Sequence, residues 1–358
     1  MKLVSIDEKN RKIFLNFYKK QYSSPLKHDT MSGVLKGLLY GNSQLCRSVY
    51  LEPLMVVENN EVVMISLLAC ANRMPDCVQI GFFEASELNM EAFKLILNRA
   101  TQLAKEKNAS KITASLNIHV NYGLGFLASG YDKPQSFGMS HNPSFYHDFF
   151  TNTGFNTIEM VSYKKDMRSI DSMMSSDIIA RLKKRYSVRM ADFNNFKRDC
   201  GIYTDVNNKA FSEHLFYYPR EQEEDYELLK DMKHLMKPEN LLFVEKNGVP
   251  VGFMLWYPDF SQLMSNGEAA GLRTVMKNIM FGNRINTFKI VEMGVIPSER
   301  NRGAILALFD YCFECINDRY DYMESGWILS DNFKSKNFGV KWADCESKRY
   351  RAYIKELS

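Results

Sequence analysis

Long apolar runs are missing from this chain. No stretch of its 358 residues reaches the length that crosses a bilayer. Lys2 is followed by no apolar core of the kind a secretory leader carries. Histidine is scarce, six residues without paired spacing, so no metal site is expected. The seven cysteines are an odd number at irregular intervals and do not read as a disulfide framework. Cys312 and Cys315 form a CxxC, but both fall in an expected helix and no second pair completes a zinc site. Charge of one sign is not in excess. The net charge is +4, and the aromatic residues are not interleaved with a basic run, so nucleic acid is not an expected partner. These absences point to a cytoplasmic protein, with peripheral membrane contact left open.

The apolar fraction of 45% and charged fraction of 25% suit a globular chain, and the length suits two domains. The most informative stretch is 291–309, VEMGVIPSERNRGAILALF. Ile290, Val291, Val295 and Ile296 give a short apolar strand, and Pro297 stops it because proline cannot donate to a ladder. Arg300, Asn301, Arg302 and Gly303 make a tight polar turn, and the helical spacing from Ala304 predicts a helix. The first N–H groups of that helix lack internal partners and lie at the positive end of its dipole. Gly303 would admit a diphosphate to the backbone, and Arg300 and Arg302 add donors. A plain surface turn fits the same residues.

The remaining periodicity repeats one element order twice. Two helices, at 7–22 and 31–39, precede strands at 52–57, 61–70 and 78–83, a helix at 90–107, a strand at 111–116, a short helix at 144–151 and a strand at 155–163. After a polar, then basic connecting helix at 166–184, residues 186–190 begin a second copy and are followed by helices at 193–211 and 221–236. A hairpin around Asn247-Gly248, an insertion at 258–286, the 291–309 unit, strands at 322–329 and 348–354 and a helix after Asn332 complete the second copy. The expected division is 1–165, a connector at 166–185, and 186–358.

The unit around Arg300-Asn301-Arg302-Gly303-Ala304-Ile305 resembles the acyl-CoA diphosphate loop of the GCN5-related N-acetyltransferase (GNAT) superfamily, Arg/Gln-x-x-Gly-x-Gly/Ala. It matches the Arg and the first Gly and departs at Ile305. The segments GFFEA (81–85), GYDKPQSFGMSHNPSFYHDFFTNTGF (130–155), NNKAF (207–211), LWYPDFSQ (255–262), GVIPSERNRG (294–303) and GWILSDN (326–332) are similar to the YghO-like bacterial double-GNAT proteins. The resemblance implies an α/β fold with a mixed sheet, two tandem GNAT-like acyl-CoA N-acyltransferase domains. It implies transfer of an acyl group to an amine, a long-chain amino lipid in some members. The donor is acetyl-CoA, a longer acyl-CoA, or acyl carrier protein. The first half, with FFEASELN where the loop would be, is implied to be structural or to help hold the acceptor. A catalytically degenerate binding module and an aminoacyl-tRNA-dependent Fem-like transferase are the alternatives.

In such a fold the reacting centre lies where two central strands splay, here 292–295 and 324–327. Met293, Gly294 and Val295 are expected to hold the pantetheine arm, with an oxyanion donor at Gly294 or Val295. Arg300, Asn301, Arg302, Gly303 and Ala304 would hold the diphosphate. Glu292 and Glu324 are the base candidates, since a carboxylate among apolar neighbours has a raised pKa. Asn332 is either a pantetheine contact or a helix N-cap. The helix after it carries no tyrosine, which leaves Tyr257 and Tyr350 as substitute acids or as core aromatics. His119 and His141 read as structural or as acceptor contacts. The 258–286 insertion suits an acyl groove, a membrane surface, or packing between the domains.

Overall fold

The computed structural model describes residues 1–24, 26–168, 174–316, 318–332, 340 and 342–357. The first half runs β1 (Lys2–Ser5), α1 (Arg11–Gln21), α2 (Ser32–Leu39), β2 (Val49–Glu58), β3 (Glu61–Ala71), β4 (Cys77–Ala85), α3 (Met90–Lys107), β5 (Lys111–Ala114), β6 (Phe126–Leu127), α4 (Tyr146–Thr151) and β7 (Asn156–Asp166). Helix α5 (Ser176–Arg185) follows. The second half runs β8 (Ser187–Met190), α6 (Phe196–Ala210), α7 (Gln222–Met232), β9 (Leu241–Lys246), β10 (Val249–Pro258), α8 (Leu272–Phe281), β11 (Thr287–Val295), α9 (Ala304–Ile316), β12 (Tyr322–Ser325), β13 (Ile328–Leu329) and β14 (Cys345–Glu356).

Local chemistry sets several of these boundaries. The Asn89 side chain accepts from Ala92 N at 3.0 Å and opens α3, and Asn108, left-handed at φ 54°, closes it. Between them Phe93, Ile96, Ala100, Leu103 and Ala104 fall on one face and are buried. Both tight hairpins turn on residue pairs with positive φ, Asn59-Asn60 between β2 and β3 and Asn247-Gly248 between β9 and β10. That geometry matches the right-handed twist of the strands it joins.

One mixed sheet runs through the molecule in the order β1-β2-β3-β4-β5-β14-β7-β12-β11-β10-β9-β8. The pairs β4–β5 and β11–β12 are parallel; the other neighbours are antiparallel. The two halves exchange strands at the centre. β14, from the end of the chain, pairs with β5 and β7, while β7 pairs with β12. The division by sequence position is therefore not a division of the sheet. Tyr353 of β14 is fully buried in the first half's core, stacked on Phe150 at 4.9 Å, with its hydroxyl 2.6 Å from His147 Nδ1. The strand expected at 322–329 is two: β12 ends at Ser325, and β13 restarts on β7, pairing Ile328 with Val161. The helix expected after Asn332, in the stretch 333–344, falls mostly on residues 333–339 and 341, which lie outside the described residues.

The exchange makes a direct prediction. Residues 1–168 expressed alone should lack native structure, because the β5 edge is bare and Tyr353 is missing from the core. Co-expression with 174–358 should restore a soluble complex. Circular dichroism and a cooperative melt of the isolated fragment would contradict this.

Candidate active site

β11 and β12 run side by side only from Thr287–Tyr322 to Ile290–Ser325. Beyond that they part. Gly326 makes the departure possible: its N–H donates to Ile290 O at 2.7 Å, and a Cβ there would lie 2.6 Å from Val291 O. Past the fork, β11 continues on β10 alone. Ile296 N donates to Val251 O, and N–H directions alternate along a strand, so the N–H groups of Val295 and Met293 turn to the side β12 has left. Gly294 faces α6, where a Cβ would meet the Ala210 Cβ at 2.8 Å.

The equivalent fork in the first half is filled by the chain itself. β4 and β5 separate after Ile80–Ala114. There the Asn117 Oδ1 accepts from Phe82 N at 2.7 Å, and Gln79 Nε2 donates to Ile118 O at 3.0 Å. Leu116 and Ile118 are fully buried beside it.

Glu292 stands at the open fork. Its carboxylate accepts from the Tyr203 hydroxyl and, at 2.9 Å, from Asn207 Nδ2, both on α6. Tyr203 is buried, and desolvation, reinforced by Glu292, holds its hydroxyl well above the ordinary phenol range. Its hydroxyl also lies 3.0 Å from the Asn121 amide. Arg220 can only donate, which turns the Asn121 oxygen toward its Nη atoms at 2.7 and 2.8 Å. Arg220 is itself paired with buried Asp225. Five side chains from both halves thus lock the geometry of one carboxylate. Tyr203 carried no distinguishing signal in the sequence, and Asn207 stood in the quoted NNKAF segment without a role.

Glu324 is placed differently. It is buried and accepts from Ser136 Oγ at 2.7 Å and Ser347 Oγ at 3.0 Å. Burial would raise its pKa, but the nearby Lys289 and Lys348 and the two serines bring the net value below the usual carboxylate range. The expectation of a raised pKa is overturned here, because the neighbours are cationic rather than apolar. Lys289 lines the cavity described below and is itself lowered to about 8, chiefly by desolvation. Lys348 donates to Pro134 O at 2.5 Å, so this cluster fastens the 134–139 segment of the first half to the second.

The loop before α9 has left-handed backbone at Asn301 and Gly303, φ 60° and 95°. The Arg302 side chain is exposed. Arg300 turns away: it donates to Glu213 at 2.9 Å and to Ala210 O at 2.8 Å, capping α6. A Cβ on Gly303 would lie 2.6 Å from Leu182 of α5, so packing of the connecting helix also requires glycine there. Ala304 is buried under the helix start. Asn332 is exposed, and its N–H donates to Leu329 O at 3.0 Å.

A cavity of about 890 Å³ opens at the fork. Its size is near the upper end of the roughly 300–1,000 Å³ usual for small-molecule sites. Val291, Glu292, Gly326 and Trp327 line its end at the fork, and Met31, Leu124 and Met139 from the first half line it together with Met232, Leu255 and Val275 from the second. Tyr257 lines it; Tyr350 lies in the core. His119 and His141 are buried on backbone carbonyls of Tyr218 and Lys133. Glu84 of GFFEA accepts from Tyr22 and Tyr146 at 2.7 and 2.8 Å, which makes that segment a brace inside the first half. Cys312 is buried on α9. Among the described residues, no helix is long and apolar enough to cross a membrane.

No protein-family model matches the chain. Two curated proteins are similar to it. Protein YghO of Escherichia coli is 19% identical over 79% of this chain and 75% of its own length. A bacterial ceramide synthase of Caulobacter vibrioides is 19% identical over 76% and 74%. Among solved structures, a tandem GNAT protein from the clavulanic acid biosynthesis pathway aligns with a TM-score of 0.53 at 12% identity, covering 99% of this chain and 98% of its own. A GCN5-related glucosamine N-acetyltransferase region of a fungal multi-domain β-N-acetylglucosaminidase aligns at 0.58 and 11% identity, covering 99% of this chain and 38% of that one. The fold is the GNAT fold, present twice.

The two carboxylates should separate in experiment. Glu324→Gln removes the main counter-charge of two buried lysines, leaving only the weaker influence of Asp259, and should cost roughly 3 kcal/mol near neutral pH. A depressed folded-state pKa stabilises above the unfolded carboxylate value, and that stability is lost as pH falls through the folded value. The gap between wild type and variant in denaturant melts should therefore be full at pH 7 and close on acidification below the ordinary glutamate range. A gap independent of pH would contradict the charged-cluster account.

Proposed function

We propose that this chain is an acyl-CoA-dependent N-acyltransferase whose acceptor is a long-chain amino lipid. Residues 186–358 hold the donor, and 1–165 help to hold the acceptor. The observation that carries this reading is the position of Glu292, fixed at the fork of β11 and β12 on the wall of a largely apolar cavity. The donor's pantetheine arm would lie along Met293 to Val295 in the gap β12 leaves, as a surrogate strand. Its diphosphate would sit on the N–H groups of the α9 start beside Arg302. Glu292 takes a proton from the acceptor ammonium, directly or through water. The freed amine attacks the thioester carbonyl, and the Val295 N–H faces the developing oxyanion. The C–N bond forms, the C–S bond breaks, and CoA leaves as a thiolate that takes up, directly or through water, the second proton the nitrogen loses, so no strong acid is needed. The apolar tail of the acceptor or of the acyl group would occupy the cavity. The similarity to a ceramide synthase supports a lipid acceptor.

One observation favours a second reading, a GNAT fold kept as a binding module. Arg300 is engaged by Glu213 and Ala210, and Gly303 is required by Leu182, so both loop residues have structural duties.

An acyl-CoA series from acetyl to palmitoyl, followed by thermal shift and by thiol release with amine acceptors, tests the proposal. Stabilisation by one chain-length class is expected by mass action. Arg302→Glu, at an exposed position, should abolish it without lowering the melting temperature of the free protein. Glu292→Gln should keep binding and lose about 10²- to 10⁴-fold in turnover. Binding without turnover by wild type would favour the module, and no binding of any acyl-CoA would overturn the donor assignment. Ala270→Trp, on the cavity wall, should shift the preferred chain to shorter lengths. Unchanged chain preference in a folded variant would remove the cavity from the account.

A further inference from the structure

Helix α8 carries an apolar face that the fold leaves uncovered. Leu272, Met276, Ile279 and Met280 are 76%, 53%, 79% and 58% exposed. Their spacing puts them on one side of the helix. The opposite side is anchored. Thr274 is fully buried, Val275 packs on the core, Asn278 donates to Leu235 O at 3.2 Å, and Lys277 pairs with Glu268 at 2.5 Å. The helix therefore cannot roll its outer face inward without breaking those contacts.

The charges on α8 and at its ends are basic. Arg273 and Arg284 are exposed at the two ends, and the Arg284 guanidinium lies 4.7 Å from the Phe281 ring centre. No acidic residue occurs within α8, and Glu268, just before it in the chain, is paired with Lys277. On the cavity rim exposed Lys230 is matched by exposed Asp231, so the basic charge is confined to α8 and its ends. The apolar face is also continuous with the cavity, because Leu272 lines it together with Ala270, Gly271 and Val275.

We propose that α8 seats the protein on an anionic lipid surface, with Leu272, Met276, Ile279 and Met280 in the outer acyl layer and Arg273 and Arg284 among the phosphates. Apolar residues flanked by basic ones are what an interfacial helix needs, and anionic headgroups supply the matching charge. A lipid chain then passes from the bilayer past Leu272 into the cavity without crossing water. This deepens the lipid-acceptor reading, but the docking itself is independent of catalysis.

Co-sedimentation with phosphatidylcholine vesicles, with and without phosphatidylglycerol, tests it. The full-length protein is expected to pellet with the anionic vesicles, less with neutral ones, and less as salt rises. Ile279→Asp with Met280→Asp changes two exposed residues that do not line the cavity, and should lower vesicle partitioning about tenfold or more. The thermal shift given by acyl-CoA should stay unchanged in that variant, which separates failure of docking from failure of the donor site. Three results would overturn the proposal. The wild type stays in the supernatant with anionic vesicles; the double variant pellets as well as wild type; or light scattering shows a dimer that the double variant converts to monomer, so that a second copy covers this face.

Discussion

The exchange of β7 and β14 is the constraint on which the rest of this structure depends. Each strand belongs by sequence to one half and by hydrogen bonding to the seam. The ladder therefore runs unbroken from β1 to β8, and the halves cannot turn about one another without tearing central strands. A cavity with walls from both halves then has fixed dimensions. The buried charges at the seam follow from the same arrangement. Lys289, Lys348 and Glu324 are affordable inside the protein only because their partners arrive from different parts of the chain and are held in place.

The two forks of the sheet show how one fold is used in two ways. Both begin with four parallel-paired residues and then separate. In the first half a single asparagine side chain satisfies the backbone that the departing strand exposes. In the second half the β12 ladder ends at Ile290, and a carboxylate stands beside the fork with its hydrogen bonds preset. Donors fixed before a ligand arrives need no reorganisation, which is the condition for electrostatic catalysis. On the proposed function the first half would be a wall and a brace, and the second half would offer the chemistry.

Much of this was legible in the chain before folding. The helix 90–107 carries its cap and its apolar stripe in its own residues, and the two hairpins announce themselves through Asn-Asn and Asn-Gly pairs. The strand, proline stop and glycine turn before α9 were equally local. The division of labour between Glu292 and Glu324 was not. Each is an acidic residue on a central strand, and their surroundings, tyrosine and asparagine for one and two lysines for the other, come from residues dozens to hundreds of positions away. The duty of Arg300 was hidden for the same reason, since Glu213 and Ala210 reach it from the end of α6.

By itself the sequence determined most of the element types, their order and its repetition, because periodicity, caps and turn residues act over a few positions; the short strands β1 and β6 and the break between β12 and β13 carried no such signal. It also carried the resemblance from which the GNAT fold was expected. Only the tertiary structure decided which strand lies beside which, and so that β14 completes the first half. It alone decided which fork is open, which carboxylate faces the cavity, and which side of α8 is left to solvent. Those outcomes depend on long-range contacts and on desolvation, and neither is a property of any short stretch of chain.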